Sequence, residues 1–166
     1  WLHRHGPDLL QDASVVELGA GAGLPGLIAS AYAKNTMVTD FGDALLNLAH
    51  NMRLNEDRIK SHNLEALDMD WREVETSSVQ KHSADIVLAT EVVYSDATCQ
   101  LFFQALEWTM KRGGVCYLAQ DITRYGVPEL MEALNQAGME VHMEEVPEWI
   151  KQTKVLYGDD NREEYF

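Results

Sequence analysis

A carboxylate and a phenol lie three residues apart at the end of a strongly apolar segment of the chain. Glu91 and Tyr94 follow residues 85–89, which read DIVLA. If the chain coils here, residues three apart share one face, and both side chains can point into one pocket. A carboxylate and an aromatic ring can together hold and orient a cationic amine. The competing interpretation makes Glu91 a helix cap or salt-bridge partner and Tyr94 an ordinary core residue.

A glycine-rich segment follows the first apolar run and reads ELGAGAGLPG from Glu17 to Gly26. The register Gly21-x-Gly23-x-x-Gly26 matches the dinucleotide fingerprint, which receives a pyrophosphate at a helix N-terminus. In that register the first glycine comes late after the strand, and a proline occupies the phosphate turn. The register Glu17-x-Gly19-x-Gly21-x-Gly23 starts at the strand end and is led by an acid. An acid repels a pyrophosphate and suits a cationic ligand such as S-adenosylmethionine, which carries a sulfonium and an ammonium.

Three further side chains are candidates to bind a ligand beside this turn. Asp40 ends the second apolar segment, where a carboxylate can accept hydrogen bonds from ribose hydroxyls. It could instead cap the following helix, a role for which Asp43 competes. Asp70 and Trp71 follow the third strand. The indole could flank an adenine ring and the carboxylate could accept from its exocyclic amine, although a tryptophan that packs at the surface explains the pattern almost as well.

Strand-like and helix-like segments alternate along the chain, which predicts that these residues share the carboxyl edge of a parallel sheet. The predicted helices are 27–33, 43–54, 96–111 and 128–137, and the predicted strands are 15–18, 37–40, 63–67, 85–89, 115–119, 139–146 and 153–157. The last two strands have no helix between them and should form a hairpin. We therefore predict an α/β fold: a doubly wound, Rossmann-like, seven-stranded sheet, mostly parallel with a C-terminal antiparallel β-hairpin.

The charge of the chain excludes several classes of partner. Its 166 residues include 27 acidic and 13 basic side chains, for a net charge of −14. Such a field repels nucleic-acid phosphates and anionic lipid, so we expect a partner that is basic around its point of contact, and no nucleic acid or membrane. No apolar run approaches the ~20 residues of a membrane-spanning helix. The six histidines show no metal-ligand spacing, so we predict no metal site.

The cysteines indicate the cellular location of the protein, and the first residues indicate how much of its domain the sequence includes. Cys99 and Cys116 lie in apolar segments, which favours reduced thiols in the cytoplasm, with the nucleus as a second location. The chain starts at Trp1 rather than at methionine, and its first residues already read as helix interior. We expect a single domain over residues 1–166 that lacks some N-terminal sequence and acts as a monomer.

The motifs taken together resemble a known family. The chain carries, in this order, ELGAGAGLPGL at 17–27, VTD at 38–40, asparagines at 51 and 55, DW at 70–71 and EVVY at 91–94. This series resembles the seven-β-strand lysine methyltransferase-like family of class I S-adenosylmethionine-dependent enzymes, whose hallmark is an acid-x-x-aromatic motif after the fourth strand. Three features depart from the family pattern. Arg72 stands where glycine is usual, Glu91 stands where aspartate is common, and Trp1 lies too close to the glycine turn to be the upstream tryptophan that usually helps to cover the cofactor.

The resemblance implies a cofactor, a reaction and a set of site residues. The implied reaction is methyl transfer from S-adenosylmethionine to a lysine side chain of a protein, with Glu91 aligning the amine and Tyr94 walling the slot. A free lysine has a pKa of ~10.4 and must lose its proton, which an apolar slot favours. Ala89 lies where the transferred methyl should sit. The implied cofactor-binding residues are Glu17, Gly19, Gly21, Gly23, Asp40, Asp70, Trp71 and Ala89.

Three other functions are alternatives to protein-lysine methylation. The chain could be a methyltransferase-fold protein that works as an interaction module with little or no activity. It could methylate a small-molecule amine instead of a protein. A nicotinamide-dependent oxidoreductase is disfavoured, because Glu17 leads the glycine turn and no residues form a hydride-relay pattern.

Overall fold

Strands and helices alternate in the computed structural model, which describes residues 1–57, 63–146 and 148. The strands are β1 (Ser14–Leu18), β2 (Asn35–Asp40), β3 (Leu64–Asp68), β4 (Ala84–Thr90) and β5 (Met110–Ala119). The helices are α1 (Leu2–Leu9), α2 (Leu24–Ala29), α3 (Ala44–Leu54), α4 (Asp96–Thr109) and α5 (Val127–Gln136), and a 3₁₀ helix spans Trp71–Thr76.

The strands form one parallel sheet in the order β3-β2-β1-β4-β5. From β1 the chain moves outward through β2 and β3 and then returns to the other side of β1. The boundary between β1 and β4 is therefore a topological switch point, where open α/β sheets bind ligands at the carboxyl ends of their strands. Leu18 pairs with Thr39 on one side and Ala89 on the other, so the three central strands end at the same level.

Both faces of the sheet are covered by helices, as a doubly wound fold requires. Successive side chains of a strand point to opposite faces, and β1 shows this directly. Val15 packs in one cluster with residues of α1 and α2, while Val16 and Leu18 pack in another with residues of α4 and α5. Burial on both faces explains why the central strand β4 reads as a continuous apolar run rather than an alternating one.

The first turns of α4 and α5 are fixed against each other beside the end of β4. Ser95 begins α4 with a capping box: its Oγ accepts from the Thr98 N–H at 3.2 Å, and Thr98 Oγ1 accepts from the Ser95 N–H at 2.9 Å. Gly126 precedes α5 with a φ of +88°, and a Cβ on it would lie 2.4 Å from the Ser95 carbonyl oxygen. The loops that follow β4 and β5 are therefore closely packed together.

Two predicted boundaries are shifted for identifiable reasons. The helix predicted over 27–33 spans Leu24–Ala29 instead, and it begins early because Gly23 adopts a left-handed φ of +80° and Pro25 fits the first turn. β5 begins at Met110 instead of residue 115, but its pairing with β4 shifts register between Ala84 and Ile86. The regular part of β5 therefore starts at Val115, where the sequence predicts it.

The parallel Rossmann-like sheet is confirmed with five strands, and the predicted C-terminal hairpin is not. Residues 139–146 form no strand in the structure, and the second predicted strand, 153–157, lies outside the described residues. A strand needs a hydrogen-bonding neighbour along its edge, and the described part of the chain pairs nothing with 139–146. Within the described residues, no helix is both long and apolar enough to span a membrane.

Candidate functional site

Main-chain hydrogen bonds join the glycine-rich turn to Asp40 across the ends of β1 and β2. Gly21 N–H donates to Asp40 Oδ2 at 2.7 Å, and Phe41 N–H donates to Asp40 Oδ1 at 2.8 Å. The predicted competitor Asp43 occupies the N-cap position of α3. Asp40 is therefore not the cap of this helix, and its half-buried carboxylate is oriented at the switch point.

Gly21 and Gly23 both lack a side chain, but the space that this leaves is different at the two positions. Their φ angles are +54° and +80°, a region that costs a residue with a Cβ roughly 1 kcal/mol. A Cβ on Gly23 would lie 2.3 Å from Leu48 Cδ1, so this glycine packs the turn against α3. A Cβ on Gly21 would meet no atom within 4 Å. Gly21 therefore leaves one side of the turn open for a ligand to approach the main chain.

Glu17 is buried behind the turn rather than on its open surface. It is 2% exposed, and its Oε2 accepts a hydrogen bond from Gly26 N–H at 2.8 Å. Burial raises the pKa of Glu17 to about 7, the Gly26 hydrogen bond opposes this rise, and the charge of Asp40 adds to it. The acid that leads the glycine motif thus fixes the first turn of α2 and can act on a ligand only through its field.

Asn51 holds the turn from the opposite side. Its Nδ2 donates to the Ala22 carbonyl at 2.9 Å, and Asn55 Nδ2 donates to the Asn51 carbonyl at 2.8 Å. Asn51 lies on α3 and Asn55 is the C-cap of that helix, so the hydrogen bond from Asn51 joins α3 to the glycine turn. The turn is thereby fixed by β2, α2 and α3 together.

Trp71 reaches from the end of β3 to the glycine turn. Its six-membered ring lies 3.2 Å from the position of a Cβ on Gly19, and its ring centroid lies 5.8 Å from that of Phe102 on α4. The indole therefore belongs to the core beneath α4 and also walls the turn at Gly19. The packing interpretation of this tryptophan accounts for most of its contacts.

Asp70 is already engaged by a neighbouring side chain. Its carboxylate accepts from the Arg72 N–H at 2.9 Å and forms an ion pair with the Arg72 guanidinium. Hydrogen bonding from the Arg72 side chain lowers the pKa of Asp70. The guanidinium carbon also lies 5.4 Å from the ring centroid of Phe41, the exposed residue that follows Asp40. The carboxylate predicted to meet an adenine amine thus has a partner from the chain itself.

The segment after β4 does not coil as the sequence analysis expected. Ala89 is buried in the centre of the sheet between Leu18 and Leu118. Glu91 follows with a left-handed φ of +53°, and α4 begins only at Asp96. The helical turn that would aim Glu91 and Tyr94 the same way is therefore absent. Tyr94 is 58% exposed, so it is not a core residue.

Glu91 contacts the loop that follows β5. Its Oε1 accepts from the Asp121 N–H at 2.8 Å, and its Oε2 lies 2.8 Å from Arg124 Nε. The amide of Gln120 anchors the same loop, since its Oε1 accepts from the Val93 N–H at 3.0 Å and its Nε2 donates to the Val93 carbonyl at 2.9 Å. The salt-bridge interpretation of Glu91 is thus borne out in the geometry.

Four residues of this edge were missed or undervalued by sequence reasoning. Asn51 was noted only as part of a pattern, although an amide one turn before a second asparagine was a usable signal. Phe41, Gln120 and Arg124 gave no signal, because an exposed aromatic, amide or guanidinium after a strand is common in any sequence. Among the described residues, no cluster of histidine, cysteine and carboxylate side chains could hold a metal ion.

A model of the lysine methyltransferase family matches residues 2–137, which include the whole five-stranded sheet and the edge just described. The chain belongs to this family. The matched region contains every predicted site residue, from Glu17 to Tyr94.

Two relatives of this chain are named as protein-lysine methyltransferases. Protein N-lysine methyltransferase METTL21A of Danio rerio is 30% identical over 98 residues, which cover 59% of this chain and 44% of the relative. Protein-lysine N-methyltransferase EEF2KMT of Mus musculus is 30% identical over 159 residues, 85% of this chain and 46% of the relative. The chain thus spans less than half the length of either relative.

Solved structures show the same fold at low sequence identity. A candidate methyltransferase of Bacillus halodurans superposes with a TM-score of 0.64 at 14% identity, covering 85% of this chain and 68% of that one. Pyrococcus horikoshii TYW2, solved with MeSAdo, gives a TM-score of 0.53 at 21% identity over 70% of this chain and 41% of that one. At these identities the likeness concerns the fold.

Proposed function

We propose that this protein is an S-adenosylmethionine-dependent methyltransferase that methylates a lysine side chain of a protein substrate. The observation that carries the proposal is the carboxyl edge of the sheet. There an acid-led glycine turn with one open side lies beside the oriented carboxylate of Asp40, at the switch point next to the end of β4. Membership of the lysine methyltransferase family supports the same reaction.

The residues around the turn fit the cofactor. Gly21 leaves an open approach to the main chain, Asp40 offers carboxylate oxygens to ribose hydroxyls, and Gly19 and Gly23 keep the turn tight against Trp71 and α3. S-adenosylmethionine supplies an electrophilic methyl group on a sulfonium. The negative charge of Asp40 favours a cationic ligand at this edge over a pyrophosphate. Asp70 could accept a hydrogen bond from an adenine amine only through the lone pairs that Arg72 does not use.

The end of β4 provides the groups that would receive the target amine. Glu91 would attract the ammonium and align it toward Ala89, and the exposed ring of Tyr94 would contact it through its face. The buried pair Val92 and Val93 makes the floor of this region apolar, which disfavours the charged amine and lowers its pKa. We assign no side chain as the base that removes the proton of the target amine, and this proton passes to water. Proximity of the two reactants supplies much of the rate.

Two finer features belong to the same proposal. The substrate is basic around its target lysine, because the chain carries a net charge of −14, and the enzyme acts as a monomer.

Radiolabelled methyl transfer tests the proposed function. The chain is incubated with methyl-labelled S-adenosylmethionine and a cell lysate, and labelled proteins are digested and analysed for methylated lysine. The expected result is label in methyl-lysine that is lost with Glu91→Ala. Label confined to small molecules or to other residue types would contradict the lysine assignment. Absence of all label despite saturable cofactor binding would support the interaction-module alternative.

A further inference from the structure

The carboxylate that is proposed to receive the substrate ammonium already has a cation on it. Arg124 Nε lies 2.8 Å from Glu91 Oε2, while the other oxygen of Glu91 is held by the Asp121 N–H at 2.8 Å. A lysine ammonium and an arginine guanidinium seek the same acceptor with the same charge. Arg124 therefore occupies, from within the chain, the electrostatic position that a substrate lysine would take.

This ion pair is weak enough to exchange. The side chain of Glu91 is 41% exposed and that of Arg124 is 48% exposed. Exposed ion pairs contribute little because water screens them and two long side chains must be ordered. A substrate ammonium that brings further contacts can therefore displace the guanidinium.

The loop that carries Arg124 is anchored at both ends and exposed between them. Gln120 clamps one end through its two hydrogen bonds to Val93, and Gly126 packs the other end against Ser95. Residues 121–125 between these anchors are all exposed. The guanidinium can thus leave Glu91 without disturbing the sheet edge that holds Ala89 and Asp40.

We propose that Arg124 is a specificity-determining residue, a built-in competitor that occupies Glu91 and must be displaced by the lysine of the substrate. This inference rests on the proposed function, because it assumes that Glu91 receives an ammonium. An isolated amine gains little by exchanging with Arg124, since one cation replaces another. A lysine within a basic segment also gains from the negative field of the chain, so the pair selects lysines in basic surroundings.

Peptide binding, measured without cofactor, separates this inference from the methyl-transfer reaction. The probe is a trilysine peptide with blocked ends, titrated into the wild-type chain, Arg124→Gln, Glu91→Gln and the double variant. Arg112→Gln is the matched control, since Arg112 is an exposed arginine near the amino end of β5. It removes the same charge at the opposite edge of the sheet, where screening beyond about 8 Å suppresses its effect on Glu91.

The expected result is a dissociation constant about threefold lower for Arg124→Gln, the scale of an exposed ion pair, and an unchanged one for Arg112→Gln. Glu91→Gln should bind more weakly than wild type, and the double variant should bind as weakly as Glu91→Gln alone. Equal tightening by both arginine variants, tightening retained in the double variant, or no binding by any protein would overturn the competition. If the pattern holds while no variant transfers methyl groups, the proposed function fails and the competition at Glu91 stands.

Discussion

The two sides of the switch point are built by different means. On the β1–β2 side, the glycine turn is fixed through the main-chain atoms of Gly21, Ala22 and Gly26, which hydrogen-bond to Asp40, Asn51 and Glu17. On the β4–β5 side, Glu91 meets the β5 loop through an exposed ion pair with Arg124. The first side is rigid and specified by backbone geometry, whereas the second can exchange partners.

This difference matches the ligands that the two sides are proposed to bind. A cofactor has one chemical structure, so a turn held by main-chain contacts can be shaped for it once. A protein substrate must enter, react and leave, which an exposed and exchangeable charge pair permits. The contrast predicts that substitutions on the two sides will fail in different ways: the first through stability and cofactor affinity, the second through transfer rate.

The largest effect is expected from Gly26→Ala. Its new Cβ would lie 2.1 Å from Val38 Cγ1 and 2.5 Å from Glu17 Oε2, so a strand and a buried carboxyl must both move. We expect the free energy of unfolding to fall by about 3 kcal/mol, measured by chemical denaturation. Gly21→Ala is the matched control and should lose only about 1 kcal/mol, from its left-handed φ. Equal losses of unfolding free energy in the two variants would contradict the close packing of Gly26 against Val38 and Glu17.

A slightly smaller effect is expected from Glu17→Gln, and it should depend on pH. Burial raises the pKa of Glu17 from its ordinary value of 4.5 to about 7. Between these two values the folded chain binds more protons than the unfolded chain, so Glu17 makes stability fall as pH rises from about 4.5 to 7. The free energy of unfolding falls by about 2–3 kcal/mol over this range, when the pKa difference is converted to free energy.

Glutamine keeps an oxygen for the Gly26 N–H but does not titrate. The pH dependence of unfolding should therefore be flatter in Glu17→Gln across this window, and the variant should be the more stable one above pH 7. Denaturation curves at several pH values measure this. Parallel stability profiles for the two proteins would show that Glu17 is not held in a buried, proton-binding state.

Asp40→Ala should weaken cofactor binding while leaving the substrate side intact. The loss of a charge-assisted hydrogen bond corresponds to about 1–3 kcal/mol of binding free energy, which isothermal titration with S-adenosylmethionine measures. Because Gly21 also loses its acceptor, Asp40→Asn serves as the control that retains one oxygen, and it should bind more tightly than Asp40→Ala. Unchanged affinity in both variants would remove Asp40 from the cofactor site.

Glu91→Ala and Tyr94→Ala should each reduce methyl transfer by at least about tenfold, equivalent to about 1.4 kcal/mol of transition-state stabilisation. Their cofactor affinity should change less, because the glycine turn and Asp40 hold most of that ligand. Tyr94→Phe should be milder if the ring matters more than the hydroxyl. Thermal unfolding without ligand is the control. Full activity of folded Glu91→Ala would leave Glu91 as a structural partner of the β5 loop alone.

The smallest effect concerns ionic strength. If the net charge of −14 steers a basic substrate, turnover should fall by about twofold to threefold as salt rises above roughly 0.1 M, where the screening length is about 10 Å. Cofactor affinity should respond less, since the glycine turn and Asp40, which are proposed to bind it, are partly buried. A rate on the native substrate that does not change with salt would count against steering.

The parallel sheet was predictable because its signals are local and strong. β4 is a continuous apolar run and the glycine turn follows β1 directly, so strand, turn and edge could be read from the sequence. The hairpin prediction needed a partner strand for 139–146, for which alternating residues such as Val141 and Met143 give only a weak signal. The helix boundary at α2 moved because the left-handed cap at Gly23 outweighs the apolar pattern.

The sequence predicted which residues lie at this edge of the sheet, but not which side chains they contact. Gly21 and Asp40 were expected at one edge, and the structure joins them by a hydrogen bond. The engagement of Asp70 by Arg72 and of Glu91 by Arg124 could not be foreseen, because an exposed arginine has many acceptors within reach. The left-handed φ of Glu91 is likewise unusual for a residue with a Cβ, and it invalidates the helical spacing assumed for Tyr94.

Parallel titrations of the wild-type chain with S-adenosylmethionine and with NADH test the central claim most directly. The acid-led turn, with Glu17 buried behind it and Asp40 oriented beside it, should bind the cationic cofactor at one site and show no saturable binding of the dinucleotide. Saturable binding of NADH, with no heat from S-adenosylmethionine or its demethylated product, would contradict the account and restore the pyrophosphate interpretation of the glycine turn.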